Sequence, residues 1–78
     1  MRLFVVYPSA RSGWELLREG DSVPLHFSEK DSAIGYGRCI ADANRPSALR
    51  VETAHGTVET AWRFEAVELA DPVTTDRR

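Results

Sequence analysis

The sequence predicts an α+β fold, in which a four-stranded antiparallel sheet of order ββαββ carries one helix on one face. Three observations support this prediction. Residues 49–64 alternate between apolar and charged side chains about a turn, residues 28–44 carry an apolar stripe at helical spacing, and residues 2–18 contain two apolar runs separated by a turn. Alternation with a period of two is typical of half-buried strands, whereas spacings of three and four are typical of an amphipathic helix.

The first hairpin is predicted from two short segments near the N-terminus. Residues 2–7 are rich in β-branched and aromatic side chains, and this strand stops at Pro8, which cannot donate to a ladder. A glycine-containing turn follows, and residues 14–18 form a second strand that pairs with the first. Residues 25–27 then resume extended structure, which the preceding proline keeps at an edge.

The helix is predicted to begin at Ser28, because a serine followed three residues later by Asp31 resembles a capping box. Its apolar stripe is narrow and consists mostly of small residues: Ala33, Ile34, Gly37, Ile40, Ala41 and Asn44. A glycine inside a helix costs about 1 kcal/mol relative to alanine, so Gly37 predicts a close approach of the helix to the sheet. Asn44 and Pro46 end the helix.

The second hairpin is predicted from a two-residue loop, His55-Gly56. Counting outward from this loop pairs Thr53 with Val58, Val51 with Thr60 and Leu49 with Trp62 on an apolar face, and Arg50 with Ala61 and Glu52 with Glu59 on a charged face. Residues 65–70 fit either an extension of the last strand or a single helical turn. The expected core consists of Val51, Trp62 and Phe64, Val5 or Val6, Trp14 or Leu16, and the helical Ile34, Gly37, Ile40 and Ala41.

Length and composition limit the chain to one domain, which we expect at residues 1–70, followed by a disordered tail at residues 71–78. The 78 residues carry a net charge of −2, so no overall positive field attracts the chain to nucleic acid. The N-terminal apolar run of five residues is too short for a signal peptide or a membrane span. Together with the single cysteine, this predicts a cytoplasmic protein without a membrane partner.

Several residues together carry a resemblance to a known family. They are Val5-Val6-Tyr7-Pro8, Gly13-Trp14 with Leu16, Arg18, Glu19 and Gly20, Phe27-Ser28 leading to Ala33 and Ala41, and Leu49 and Val51 before the Gly56 turn. In these positions the chain resembles the bacterial domain of unknown function family 2188 over residues 3–64. It departs from the family pattern at Ala54-His55-Gly56 and at Phe64-Glu65. The resemblance implies a small ββαββ protein and brings no activity, cofactor or catalytic residue.

No catalytic, cofactor or metal site is predicted, and no small-molecule substrate is evident. Cys39 lies one residue from the helical stripe, and no sequence signal places His26 or His55 beside it as a base. One cysteine and two distant histidines lack the close ligand pair that begins a zinc site. Glu52 and Glu59 are expected to face each other on an open surface, where a pair of carboxylates implies no pocket. We therefore expect a protein that is not an enzyme.

The expected role is protein interaction, most simply self-association as a homodimer or else binding to another protein. Apolar side chains point to both faces of the first hairpin, whereas one helix can cover only one face of a sheet. The sequence leaves open which face of the first hairpin packs on the helix. The candidate interaction surface comprises Phe4, Val6, Leu17, Val67 and Leu69.

A nucleic-acid-binding module is the alternative. In it, Arg50 and Arg63 hold phosphates on a sheet surface while aromatic rings stack on bases. This arrangement needs an aromatic side chain on the arginine face. The hairpin register directs Trp62 and Phe64 to the opposite face, so the alternative ranks second.

Overall fold

The computed structural model describes residues 1–66, which form five strands and one helix. These elements are β1 (Arg2–Pro8), β2 (Trp14–Arg18), β3 (Leu25–Phe27), α1 (Lys30–Ala43), β4 (Ser47–Glu52) and β5 (Val58–Phe64). The strands make a single sheet of order β3-β2-β1-β4-β5. The helix lies across one face and contacts all five strands. The α+β class with one helix is therefore confirmed.

The sheet has five strands and is mixed, so the prediction of four antiparallel strands is wrong. The extended segment Leu25–Phe27 pairs with β2 and becomes an edge strand of its own. The two hairpins join through β1 and β4, which run parallel at the centre of the sheet. β3 is antiparallel to β2, β2 is antiparallel to β1, and β1 is parallel to β4, so β3 and β4 run in the same direction. The helix α1 connects β3 to β4 and is the crossover that a parallel connection requires.

The core lies between the helix and the inner face of the sheet. Its fully buried apolar residues are Phe4, Val6, Leu16, Ala33, Ala41, Leu49 and Val51. Half-buried Trp14, Phe27, Ile34, Ile40, Trp62 and Phe64 pack around them. Of the predicted alternatives in β1, Val6 and not Val5 is therefore the core residue. In β2, both Trp14 and Leu16 face the helix.

The helix begins later than predicted and lacks the predicted capping box. Glu29 is the N-cap, and its side chain makes no capping hydrogen bond. The C-terminus agrees with the sequence, because Asn44 is the C-cap and its side-chain amide donates to the carbonyl oxygen of Ile40 over 2.7 Å. The buried stripe is confirmed at Ala33, Gly37 and Ala41.

The second hairpin keeps the predicted register along most of its length. Leu49 pairs with Trp62, Arg50 with Ala61 and Val51 with Thr60. The loop is one residue longer than predicted, because the amide of Thr53 donates to the carbonyl of Thr57 over 2.9 Å and encloses Ala54-His55-Gly56. A bulge restores the register, so Glu52 pairs with Val58 and the predicted pairs of Thr53 with Val58 and of Glu52 with Glu59 are wrong.

Candidate functional site: the helix-free face of the sheet

The face of the sheet opposite α1, named the open face here, is lined by alternate residues of each strand. Phe4 and Val6 are buried beneath the helix, so the residues on either side of them in β1 point the other way. The open face comprises Leu3, Val5, Tyr7, Glu15, Leu17, His26, Ala48, Arg50, Glu52, Ala61 and Arg63. Within residues 1–66, the single helix packs on the opposite side and no other element covers this face.

The centre of the open face is apolar. Leu3, Val5, Tyr7 and Leu17 are all half-buried by their neighbours in the sheet. Val5 occupies the middle, with Leu17 beside it on β2 and Arg50 beside it on β4. An apolar face of a sheet is normally buried against another element, and an apolar patch left uncovered marks a surface that packs against another molecule.

A polar group occupies the end of the open face beside the β1–β2 loop. Nδ1 of His26 lies 2.9 Å from a carboxylate oxygen of Glu15, which is the β2 neighbour of Tyr7. Burial raises the pKa of the Tyr7 hydroxyl, and the negative charge of Glu15 raises that pKa further. Together with residues 9–12 these side chains line a groove of about 650 Å³ that opens to solvent.

Gly13 allows the loop to approach this polar group. Its φ of +79° lies in the left-handed region, and an added Cβ would stand 2.5 Å from the carbonyl oxygen of Phe27 and 3.0 Å from the imidazole of His26. The amide of Ser9 donates to the Gly13 carbonyl over 3.0 Å and closes the loop. The glycine therefore positions the loop against β3 and the histidine.

The two arginines of the predicted alternative both lie on the open face, and each is paired with a nearby acid. Arg50 Nη2 is 3.3 Å from Oε2 of Glu52, and Arg63 Nε is 3.2 Å from Oε2 of Glu65. Nε of Arg50 is buried and has no hydrogen-bond acceptor among the described residues. Tyr7 is the aromatic residue that shares their face, whereas Trp62 and Phe64 turn to the helix side as predicted.

The predicted interaction surface has the wrong residues in β1. Phe4 and Val6 are 2% and 0% exposed and belong to the core, so the expectation that they are surface residues is wrong. Leu17 lies on the open face, and its part in an interaction stays a prediction. Val67 and Leu69 are outside the described residues. The physical reason is that the two sets of alternate side chains in β1 are both apolar, so the sequence pattern does not distinguish them. Packing against the helix buried the set that contains Phe4 and Val6.

Three cation–aromatic contacts on the helix side were missed by the sequence analysis. Lys30 Nζ lies 5.0 Å from the centroid of the Trp14 ring, and the guanidinium carbons of Arg38 and Arg45 lie 5.1 and 5.4 Å from the rings of Trp62 and Phe64. These cations lie over the rings of the half-buried aromatic residues. Lys30 and Arg38 are eight residues apart in α1 and so lie on one side of it, whereas Arg45 follows the C-cap. Only the tertiary structure reveals the rings beneath these cations.

The candidate chemical residues do not come together. Cys39 is exposed on α1, in a shallow groove lined by arginines, an aspartate and an aromatic ring. Glu59 turns away from Glu52 and binds Nζ of Lys30 over 2.7 Å. Within residues 1–66, no three His, Cys, Asp or Glu side chains form a group able to hold a metal ion. The helix in this part of the chain is too short and too polar to cross a membrane.

Comparison with known proteins identifies a family and brings no activity. Residues 4–64 match the model of a family described as an uncharacterized protein conserved in bacteria, DUF2188. No curated protein and no solved structure matches the chain. The matched region extends from the third residue of β1 to the end of β5, and so includes the helix and all of the sheet except the first two residues of β1. The chain therefore belongs to the bacterial DUF2188 family.

Proposed function

We propose that the chain is a non-enzymatic self-association module, which forms a homodimer by packing the open face against the same face of a second copy. The observation that carries this proposal is the apolar centre formed by Leu3, Val5, Tyr7 and Leu17. Burying it removes apolar surface from water, which is the main driving force of association.

The size of the face sets the strength of the expected dimer. Five strands spaced by about 4.8 Å span roughly 20 Å, and five residues along a strand span roughly 17 Å. Two such faces bury on the order of 700 Å², which is below the usual size of a stable specific interface and in the range of weak, transient ones. We therefore expect a weak dimer, with a Kd of about 10 to 500 μM.

Sedimentation equilibrium of the full chain, between about 5 μM and about 1 mM, tests the proposal directly. The matched variants are Leu17→Lys, on the open face, and Val23→Lys, at a position that is 78% exposed and away from that face. Both place the same ammonium at an apolar position. Leu17→Lys should abolish dimerisation because it buries an unpaired charge, whereas Val23→Lys should leave it unchanged.

Circular dichroism and thermal unfolding must first show that both variants fold. If Leu17→Lys does not fold, Val5→Thr provides a milder test, because it keeps the shape and replaces one methyl group with a hydroxyl at the centre of the face. A wild-type chain that stays monomeric throughout this concentration range would refute the proposal. So would a dimer that Leu17→Lys or Val5→Thr leaves unweakened.

Nucleic-acid binding is the second proposal, because Arg50, Arg63 and Tyr7 share one face. Both arginines already contact acids, and the net charge is −2, so this role has weaker support. A labelled single-stranded oligonucleotide titrated at low salt tests it. Oligonucleotide binding that weakens steeply as salt rises and is lost in the double variant R50Q/R63Q would support this second proposal. No oligonucleotide binding at low salt would refute it.

A further inference from the structure

The shallow groove around Cys39 lies between α1 and β5, on the helix side of the sheet, and is named the α1–β5 groove here. Its volume is about 370 Å³, and it is lined by Gly35, Arg38, Cys39, Asp42, Arg45 and Phe64. Two arginines and one aspartate give its walls a net charge of +1. The groove therefore combines an aromatic ring with an excess of positive charge, which suits a segment that is both apolar and acidic.

The positive charge of the groove is only partly matched within residues 1–66. Arg45 Nη2 lies 2.6 Å from a carboxylate oxygen of Asp42, and Nε of Arg45 donates to the same oxygen over 2.7 Å. Arg38 lies over the Trp62 ring and takes part in none of the ion pairs of this part of the chain. Its guanidinium carries five N–H donors, so Arg38 can still bind an acid.

The chain itself brings an acidic segment to one end of this groove. Nη1 of Arg45 donates to the carbonyl oxygen of Glu65 over 3.1 Å, so the chain that leaves β5 is bound to a groove residue. Residues 66–71, which follow directly, read Ala-Val-Glu-Leu-Ala-Asp and contain two acids and no base. This segment therefore has the charge and the apolar side chains that complement the walls of the groove.

The distances allow residues 67–71 to lie along the groove. Cys39 precedes Arg45 by six residues, which places it roughly 9 Å farther back along the helix axis. An extended chain advances about 3.3–3.6 Å per residue, so the four residues after Glu65 span up to roughly 14 Å. Leu69 can therefore reach the level of Cys39 even if the chain uses one residue to reverse its direction after β5.

On these grounds we propose that residues 67–71 bind in the α1–β5 groove of their own chain. The apolar side chains of the segment cover the Phe64 ring, and Glu68 supplies the carboxylate that Arg38 lacks within residues 1–66. A segment tethered this closely has an effective concentration in the millimolar range, so the contact needs little intrinsic affinity. The contact lies on the helix side and is independent of the homodimer proposed for the open face.

NMR of the full chain, labelled with ¹⁵N and ¹³C, tests this proposal. Residues 67–71 should have backbone order parameters above about 0.8, and the methyl groups of Leu69 should show NOEs to Cys39 and Phe64. Order parameters below about 0.6 throughout the segment would overturn the proposal. NOEs from Leu69 to Leu17 would overturn it in favour of the open face. NOEs that occur only between labelled and unlabelled chains would overturn it in favour of a second copy.

Two matched pairs of variants provide an independent measurement through the native thiol of Cys39. Glu68→Lys and Asp76→Lys make the same change of charge, and Leu69→Ser and Val73→Ser each replace an apolar residue with serine. Glu68→Lys and Leu69→Ser should raise the rate of alkylation by N-ethylmaleimide about threefold or more, because they uncover the thiol. Asp76→Lys and Val73→Ser lie beyond the bound segment and should leave the rate unchanged. Equal rates in the wild type and all four variants would contradict the proposal, whether or not the chain forms dimers.

Discussion

Replacing Gly37 with alanine should destabilise the domain, although the same change usually stabilises a helix. The backbone of Gly37 lies so close to the sheet that a Cβ would stand 3.1 Å from Cδ1 of Leu49 and 3.3 Å from Cδ1 of Leu16. Carbon atoms prefer separations of about 3.5–4.0 Å, so both leucines must move within a fully buried core. Overpacking of this kind costs about 1–3 kcal/mol.

Gly35 provides a matched control in the same helix. It is exposed, and no atom lies within 4 Å of its added Cβ, so Gly35→Ala should gain the helix propensity of about 1 kcal/mol without a steric cost. Gly37→Ala gains the same propensity and loses more to overpacking, which leaves a net loss of about 1 kcal/mol. The two variants should therefore differ by about 2 kcal/mol in free energy of unfolding.

Urea unfolding followed by tryptophan fluorescence, at a concentration where the chain is monomeric, measures this difference. For a domain of this size, 1 kcal/mol shifts Tm by about 4–8 °C, so thermal unfolding provides an independent reading. The expected result is a lower Tm for Gly37→Ala and a higher Tm for Gly35→Ala. If both variants raise Tm equally, the helix does not need a glycine for its approach to the sheet, and the reasoning fails.

Three further predictions concern the loop, an ion pair and a titrating group. Gly13→Ala should lower the free energy of unfolding by more than about 1 kcal/mol, because the φ of Gly13 is +79° and an added Cβ would lie 2.5 Å from a carbonyl oxygen of β3. Thermal unfolding measures this loss, and an unchanged Tm would contradict the geometry. The pair of Lys30 and Glu59 is partly exposed, so a double-mutant cycle to methionine and glutamine should give a coupling of about 0.2–1 kcal/mol that salt reduces; a larger, salt-independent value would contradict it. The pKa of Tyr7 lies above its ordinary value of 10.0, so the folded state keeps its proton longer, and the free energy of unfolding should fall as pH rises above 10.0 towards the raised pKa. Glu15→Gln should lower the pKa of Tyr7 in a spectrophotometric titration, and an unchanged pKa would refute the electrostatic contribution.

Local patterns predicted the elements well, because local interactions decide them. The strands around β1, β2, β4 and β5 and the helical stripe follow from side-chain periodicity, which is a property of neighbouring residues. The end of the helix at Asn44 also follows from local chemistry. Its beginning did not, because the serine at position 28 matched a capping pattern while the chain entered the helix at Glu29.

The hairpin loop shows where a local rule reached its limit. Two- and three-residue loops both suit a glycine with positive φ, and Gly56 has a φ of +82° in the longer one. The choice depends on the bulge that follows, which frees Glu59 to reach Lys30 at the start of the helix, 29 residues away along the chain. A count outward from the turn contains no information about that distant contact.

The sequence by itself determined the helix, the strand segments and the absence of a recognisable catalytic motif. Only the tertiary structure decided that the two hairpins join through parallel β1 and β4, that Leu25–Phe27 forms a fifth strand, and that Phe4 and Val6 face the helix. The physical reason is that strand order and the buried face of β1 depend on contacts between residues far apart in the chain. Since both sets of alternate side chains in β1 are apolar, periodicity alone leaves two faces equivalent, and packing against the helix distinguishes them.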